Sequence, residues 1–412
     1  MKFAMVCLIL LIAGCAQFPG YEGSEYEGQE HKDVSSQRAI TRITEEKGID
    51  LFCDISRDCQ HITFSSNRRG NFDIFIKKPE EQAVIQRTFG QENDVFPCFA
   101  PDGKKIAFSS NRFGSYDIFI IDAFSGQNIR QVTSDEATDE IAPNFSPDGR
   151  FVVFSKISRD EDSKPEIVMV DLEKGLFIYI TEGLFPKFSP DGKKIAFQRD
   201  IGEGRQSIWT IEINGTKETE VVYNETFSAI MPVWSSDGEK IVYIATAVHP
   251  ERDIEMIDIL GAGGELRMIN IDGTYDTQVA VGGGVLCPAW PSDGLIYFSS
   301  LRGDNVDIYR TEIGKKEETK KVEEAVPPHK VVLKQEAEKT KTFFFPKQTE
   351  EGAVVKATKD NVNVWSYPGK TVIAKVNKGD ALVVVDASEK WYYQVRLPNG
   401  MNGWVCSFFV ER

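Results

Sequence analysis

Asp94, Asp139 and Glu140 are the side chains of this chain whose type and position best suit chemistry. Carboxyl groups gathered in one concave site can act as general acids and bases, or they can bind a ligand. The three residues precede strand patterns that recur along the chain, but they do not recur identically in every unit. Their function therefore depends on the elements that position them.

The motifs of common enzyme classes are absent from the sequence. It contains no GxSxG nucleophile elbow, no HExxH, no P-loop and no GxGxxG that opens a helix. The histidines fall in unrelated segments, at positions 31, 61, 249 and 329. We therefore expect a protein that is not an enzyme and has no cofactor or metal.

A turn with an aspartate recurs at nearly constant spacing. The form PDGKKIAF begins at Pro101 and again at Pro190, and four variants of it occur elsewhere. The turn aspartates are Asp58, Asp102, Asp148, Asp191, Asp237 and Asp293. A period of about 40 to 45 residues, with several strand patterns in each unit, predicts the blades of a β-propeller. We expect an all-β fold in which a six-bladed propeller spans residues 38–314.

The second unit illustrates the predicted strands. They comprise an inner strand before Pro101, a second over Lys105 to Ser109, a third over Tyr116 to Asp122, and an outer strand over Ile129 to Thr133. The third strand is apolar on both faces, as expected for a sheet that lies between two others. The sixth unit lacks an outer strand, whereas Ala39 to Thr44 precede the first unit and match that strand in type. We predict that this N-terminal segment closes the ring.

The repeated pattern FSPDGKKIAF, followed by SSNRxGxxDIF, resembles the WD40-like repeat of TolB-type propellers. The resemblance covers roughly residues 38 to 314. It implies a protein-binding function and a periplasmic or envelope partner, with a Pal-like protein as one possibility. TolB also carries an α/β domain ahead of its propeller, and nothing in this chain matches that domain.

One face of the predicted propeller gathers the candidate binding residues. The loops that enter the inner strands carry Asp94, Asp139 and Glu140, and an insertion at His249 to Gly264, which includes Arg252, emerges on the same face. In three hairpins an arginine recurs with an aspartate, as Arg68 with Asp73, Arg112 with Asp117 and Arg302 with Asp307. We expect these pairs to close their hairpins structurally.

The N-terminus resembles a bacterial lipoprotein signal. Residues 1–14 contain a short apolar run that ends in Leu11-Ile12-Ala13-Gly14 before Cys15. This resemblance to the lipobox implies lipidation at Cys15 and a membrane anchor through acyl chains. Ala16 follows where an aspartate would favour the inner membrane, so we expect the outer membrane, with the protein facing the periplasm. Residues 15–37 are polar and predict a flexible tether.

The C-terminal part of the chain predicts a linker and a small second domain. Residues 315–352 are rich in lysine and glutamate. Residues 353–412 contain several short strand patterns and resemble the bacterial SH3-like domain, a small β-barrel. The resemblance implies binding of peptidoglycan or a peptide, with Trp365, Tyr367 and Tyr392 as a candidate aromatic groove. Trp365 stands where the family usually has an arginine.

Charge and cysteine content limit the remaining options. The net charge of −15 argues against nucleic acid as a partner, because such binding needs a basic surface. Without Cys7 and Cys15, an odd number of cysteines remains: Cys53, Cys59, Cys98, Cys287 and Cys406. A disulfide between Cys53 and Cys287 is one option, and buried free thiols are the favoured one.

Two functions remain open at this stage. The favoured one is an envelope lipoprotein that acts as a scaffold for protein partners and contacts the cell wall. The alternative is a propeller hydrolase or lyase that acts on envelope glycans or peptides, with the acidic channel residues as catalysts.

Overall fold

The computed structural model describes residues 40–160, 163–202, 204–247, 264–280, 284–301 and 305–313, together with seven strands between residues 354 and 411. The chain divides into two compact units, Met1–Ile313 and Gly314–Arg412. Strands and turns make up the described part of both units. No helix within it is long and apolar enough to cross a membrane.

The first unit contains six antiparallel sheets of four strands each, which are the blades of a propeller. Blade 1 comprises β2 (Asp50–Ile55), β3 (Ile62–Ser66), β4 (Asp73–Lys77) and β5 (Val84–Gln86). Blade 2 comprises β6 (Asp94–Phe99), β7 (Lys105–Ser110), β8 (Asp117–Asp122) and β9 (Arg130–Gln131). Blade 3 comprises β10 (Thr138–Phe145), β11 (Phe151–Ser158), β12 (Glu166–Asp171) and β13 (Leu176–Glu182).

Blades 4 to 6 repeat this order. Blade 4 comprises β14 (Leu184–Phe188), β15 (Lys194–Gly202), β16 (Arg205–Glu212) and β17 (Thr219–Val222). Blade 5 comprises β18 (Phe227–Trp234), β19 (Lys240–Ala247), β20 (Glu265–Asn270) and β21 (Thr277–Ala280). Blade 6 comprises β22 (Val285–Ala289), β23 (Leu295–Leu301), β24 (Val306–Glu312) and, as its outer strand, β1 (Ile40–Arg42).

The predicted closure of the ring is confirmed. Strand β1 pairs antiparallel with β24, so Thr41 lies opposite Arg310. Beyond the strand, the backbone N–H of Ile43 donates to the carbonyl of Ile308 at 2.8 Å. The N-terminal segment thus covers a sheet edge that would otherwise be open.

Both faces of the blades are buried, as the pattern of the third strand predicts. Ile118 of β8 packs in a cluster with Phe154 of blade 3. Phe119, the next residue, packs in a cluster with Ile74 of blade 1. Because side chains alternate along a strand, one strand supplies the core of two blade junctions.

The repeated turn aspartates stabilise their own turns. The Ser146 hydroxyl donates to Asp148 at 2.5 Å, and the backbone N–H of Arg150 donates to the same carboxyl oxygen at 3.1 Å. Gly149 between them has a φ of 74°, which favours glycine. This arrangement explains the motif structurally, so the turn aspartates need no binding role.

Each inner strand carries a β-bulge at the same place. The bulged residue has a φ between 52° and 56° in every blade, and the pairing with the second strand shifts there. A proline follows it in five of the six blades, which is possible because the inner edge of a blade needs no ladder hydrogen bond at that position. The bulged residues are Phe52, Phe96, Ala142, Phe185, Met231 and Cys287.

The second unit contains one antiparallel sheet of seven strands, in the order β27-β26-β30-β29-β28-β25-β31. Its strands are β25 (Val354–Ala357), β26 (Val362–Trp365), β27 (Val372–Val376), β28 (Ala381–Asp386), β29 (Tyr392–Arg396), β30 (Asn402–Cys406) and β31 (Val410–Glu411). The all-β prediction holds for these strands.

Candidate functional site

The six bulged residues narrow the central channel of the propeller. The rings of Phe52 and Phe96 lie 3.8 Å apart, and those of Phe96 and Phe185 lie 5.7 Å apart, measured between centroids. The pocket that these residues line with their neighbours has a volume of about 50 Å³. Space of this size holds a few water molecules rather than a sugar or a peptide.

Polar groups of the inner strands join neighbouring blades next to this constriction. The Asp54 carboxylate accepts the backbone N–H of Phe99 at 2.7 Å, and the Asn144 side chain accepts that of Phe188 at 2.8 Å. Burial raises the pKa of Asp54, while the positive charge of Lys187 opposes the rise. These groups bind the blades together around the channel.

The described thiols of the propeller are free, and the buried ones are poorly suited to nucleophilic chemistry. Cys53, Cys98 and Cys287 are buried and free, and Cys59 is half-buried and free. Burial raises the pKa of Cys98 and of Cys287 to about 12, so both stay protonated at neutral pH. The favoured expectation of buried free thiols is confirmed for Cys53, Cys98 and Cys287.

The loop face of the propeller consists of the loops that enter the inner strands and the loops between second and third strands. Asp94 begins β6 and pairs with Ser110, the last residue of β7, so the two kinds of loop meet at one end of each blade. Within blade 2 the Asn111 side chain accepts the backbone N–H of Asn93 at 2.8 Å. The loop face is therefore tied together by hydrogen bonds.

The recurring arginines pair with inner-strand acids, and the predicted pairing within the hairpins is wrong. Arg112 donates to both carboxyl oxygens of Asp94, at 3.0 and 3.1 Å, rather than to Asp117. Arg68 likewise donates to both oxygens of Asp50, at 3.0 and 2.8 Å, rather than to Asp73. The cause is the antiparallel register, which places Asp94 opposite Ser110 and within reach of the arginine that follows it. Arg302 lies outside the described residues.

Each paired arginine also covers aromatic rings. The Arg112 guanidinium lies 4.6 Å from the centroid of Phe119, and that of Arg68 lies 5.0 Å from the centroid of Phe75. Asp94, a predicted ligand residue, is thus the buried partner of a structural ion pair.

Asp139 and Glu140 lie together at the start of β10, in different surroundings. The Asp139 carboxylate accepts the backbone N–H of Tyr116 at 2.8 Å and lies 3.4 Å from Arg159. Glu140 is 1% exposed, and the Thr138 hydroxyl donates to one of its oxygens. Its other oxygen has no hydrogen-bond partner among the described residues. Burial, followed by the charge of Asp117, raises the pKa of Glu140 to about 8.

Two exposed phenylalanines on the loop face were not predicted from the sequence. Phe89, in the loop that enters β6, is 73% exposed, and Phe113, between β7 and β8, is 67% exposed. One sequence signal was available, because Phe113 stands where the otherwise matching repeat of blade 1 has Arg69.

The remaining candidates lie in other parts of the chain. His249, Arg252, Tyr367 and Cys15 lie outside the described residues. Trp365 ends β26 and lies opposite Trp404 of β30, and Tyr392 begins β29 opposite Cys406. No group of three or more His, Cys, Asp or Glu side chains that could hold a metal ion occurs in the described part of the chain.

Comparison with known proteins identifies the type of propeller. A family model described as the TolB β-propeller domain, PD40, matches residues 128–263. No curated protein matches the chain.

One solved structure shows the same fold at low sequence identity, and two further structures match with TM-scores just below 0.5. A structure assigned to TolB from Agrobacterium tumefaciens has a TM-score of 0.51 at 18% identity, over 67% of this chain and 97% of that one. TolB from Acinetobacter baumannii has a TM-score of 0.49 at 18% identity, over 65% and 63%. An oligogalacturonate lyase from Vibrio parahaemolyticus has a TM-score of 0.49 at 16% identity, over 69% and 96%. Together with the six sheets, the family match confirms the predicted fold: the chain carries a six-bladed, TolB-like β-propeller.

Proposed function

We propose that the protein is a binding scaffold whose propeller holds a protein partner on the loop face. The observation that carries this proposal is the exposure of Phe89 and Phe113 on that face. Large apolar side chains that protrude from a rigid surface are typical anchors of protein interfaces. Phe89 and Phe113 lie in two loops that a hydrogen bond between Asn93 and Asn111 joins. Because the loops are already held in place, binding would cost little conformational entropy.

The narrow channel also favours binding at the surface. A pocket of about 50 Å³ cannot admit a glycan or a peptide to the channel interior without displacing the bulged residues. The proposed face extends around the loops of blades 2 and 3 and includes His249 and Arg252 of the insertion, whereas the carboxyl groups of Asp139 and Glu140 are buried beneath it. A periplasmic or envelope protein, with a Pal-like protein as one possibility, is the proposed partner.

We propose further that the chain is a lipoprotein of the bacterial cell envelope. Support comes from the small residues that precede Cys15 and from the polar stretch that follows it. Acyl chains on Cys15 would place the propeller at a membrane surface. The proposed membrane is the outer membrane, with the protein on its periplasmic side.

The C-terminal unit is proposed to be an SH3-like module that binds peptidoglycan or a peptide from it. Its support is the order of strand and turn motifs in residues 353–412, with Trp365, Tyr367 and Tyr392 as the proposed groove. Cosedimentation with peptidoglycan sacculi tests this proposal. We expect the full chain to sediment with them and a chain that ends at Ile313 to remain in solution.

A photocrosslinking amino acid at Phe113 tests the proposed face of the propeller. Phe124 is the matched control, because it is 50% exposed but lies in the turn between β8 and β9, at the opposite end of the blade. In intact cells we expect one discrete crosslinked protein from position 113 and none from position 124. The Phe113→Ser variant should lose the same protein in a pull-down.

Equal crosslinking from both positions would contradict a specific loop face. Turnover of an envelope glycan or peptide by the purified chain, with no partner captured, would support the enzyme alternative instead.

A further inference from the structure

Three consecutive blade junctions each bury a pair of carboxyl groups. One carboxyl group belongs to the first or second residue of the third strand of a blade, and the other lies on the inner strand of the next blade. All six side chains are at most 2% exposed. The pairs are Asp307 with Asp50, Asp73 with Asp94, and Asp117 with Glu140.

Hydrogen bonds show that these pairs are structurally equivalent. The backbone N–H of Asp94 donates to the carbonyl of Phe72 at 2.7 Å, and that of Glu140 donates to the carbonyl of Tyr116 at 2.6 Å. In each pair a threonine hydroxyl also donates to the third-strand aspartate at 3.3 Å. These threonines are Thr44, Thr88 and Thr133.

The junctions differ in the number of arginines that neutralise them. At the junction of blades 6 and 1, Arg42 contacts Asp307 at 2.6 Å and Arg68 contacts Asp50 at 2.8 Å. At the junction of blades 1 and 2, Arg112 is the one arginine among the described residues that contacts the acid pair, through Asp94. Two negative charges thus meet two arginines in the first case and one arginine in the second.

No arginine or lysine in the described part of the chain pairs with Asp117 or Glu140. The register explains this, because Lys156 occupies the place of Ser110 opposite the inner-strand acid, and Ser158 therefore occupies that of Arg112. Lys156 instead donates to Asp135 at 2.8 Å.

A pair of buried carboxylates without a cation is strongly unfavourable, and a proton shared between them removes the repulsion. The titratable groups that act on this pair are Lys156 from β11 and Asp139 beside Glu140, in addition to the two acids themselves. The buried oxygen of Glu140 that has no hydrogen-bond partner is available to carry the proton. We propose that Asp117 and Glu140 form a proton-binding site that locks blade 2 to blade 3, where the equivalent junctions use arginine.

This lock weakens as the pH rises. The pKa of Glu140 is raised to about 8 in the fold, above the ordinary value of 4.5, so the native state holds a proton that the unfolded chain releases. The stabilisation is complete below about pH 4.5 and is lost as the pH rises through about 8. Across that range the native state binds one proton more than the unfolded chain. The unfolding equilibrium constant therefore increases about tenfold for each unit by which the pH rises.

Urea unfolding of the full chain between about pH 5 and pH 9 tests the proposal, with Glu140→Gln as the variant. The amide removes the titrating group. We therefore expect the unfolding equilibrium constant of the variant to rise with pH less steeply than that of the unaltered chain, by a factor of about ten per pH unit. At about pH 9 the variant should be the more stable of the two. The matched control is Glu136→Gln, because Glu136 is an exposed acid in the same loop. Its curve should follow that of the unaltered chain.

Parallel pH curves for the Glu140→Gln variant and the unaltered chain would overturn the proposal. So would a Glu140→Gln variant that is less stable at every pH. If the variant does not fold, NMR titration of the side-chain carboxyl carbons in the unaltered protein decides. A titration near pH 8 that is shared by Asp117 and Glu140 supports the site, and midpoints for both below about pH 5 exclude it.

Discussion

The Arg112 side chain combines two stabilising contacts, one with a buried carboxylate and one with aromatic rings. Its guanidinium holds both oxygens of Asp94 and lies over Phe119. Asp73, whose pKa is raised to about 7 by burial and by the charge of Asp94, lies across the same junction. Loss of Arg112 therefore leaves two buried carboxyl groups without a cation.

We predict that Arg112→Gln destabilises the propeller by about 3 kcal/mol at neutral pH, as is typical when one partner of a buried ion pair is removed. Urea unfolding measures the change. The loss should shrink toward about pH 5, because the Asp73 and Asp94 pair can then take up a proton.

Arg130→Gln is the control for this prediction, because Arg130 is an exposed arginine on β9. It should change the stability by less than about 0.5 kcal/mol. An equally small effect of Arg112→Gln would show that the Asp94 pair contributes nothing measurable.

The sequence located the charged residues but not their partners. Arg112 and Asp117 lie in one hairpin, so proximity along the chain suggested a pair, whereas the true partner, Asp94, lies on the preceding strand. The bulge at Phe96 shifts the pairing of that strand by one residue, and such a shift reverses the face to which neighbouring side chains point. A positive φ at a phenylalanine has no signal in the sequence.

Strands and turns were more predictable than contacts. The four strands predicted for the second unit are all present, because the Pro-Asp-Gly turn fixes where two of them end. The exposed phenylalanines were missed because exposure depends on packing across a junction, and Phe113 contacts Phe119 of its own blade rather than a core beneath it.

Strand β1 closes the ring with the same contacts that outer strands make elsewhere. The Thr44 hydroxyl accepts the backbone N–H of Ile308 at 2.9 Å, as Thr133 does for Ile118 at 2.8 Å in blade 2. The N-terminal segment thus replaces a complete structural element of blade 6.

We predict that a chain beginning at Glu45 melts at least about 10 °C below one beginning at Ala39. The shorter chain exposes the edge of β24 and leaves the buried Asp307 without Arg42 and Thr44, a loss of several kcal/mol. Circular dichroism against temperature measures the difference. Identical melting curves would mean that β1 does not stabilise the closure.

At the scale of the whole molecule, the proposed anchor residue precedes the propeller in the chain. Cys15 lies ahead of Ile40, the first residue of β1. A change at Cys15 tests attachment to the membrane, and the melting temperature of the variant shows whether the propeller keeps its stability. Cys59 offers a matched thiol inside the propeller, where its sulfur lies 3.6 Å from the Ser292 hydroxyl.

We predict that Cys15→Ser abolishes the incorporation of labelled acyl chains and leaves an unprocessed or mislocalised precursor, because acylation requires the thiol of that residue. Cys59→Ser should be acylated and should fractionate like the unaltered protein. Both variants should melt at the same temperature as the unaltered protein to within a few degrees, since Cys59 is only half-buried and Cys15 precedes the first strand of the propeller in the chain. Acyl labelling, membrane fractionation and thermal melting measure the three quantities.

Continued acylation of the Cys15→Ser variant would exclude Cys15 as the lipidated residue, and membrane association without any acylation would require an anchor elsewhere in the chain.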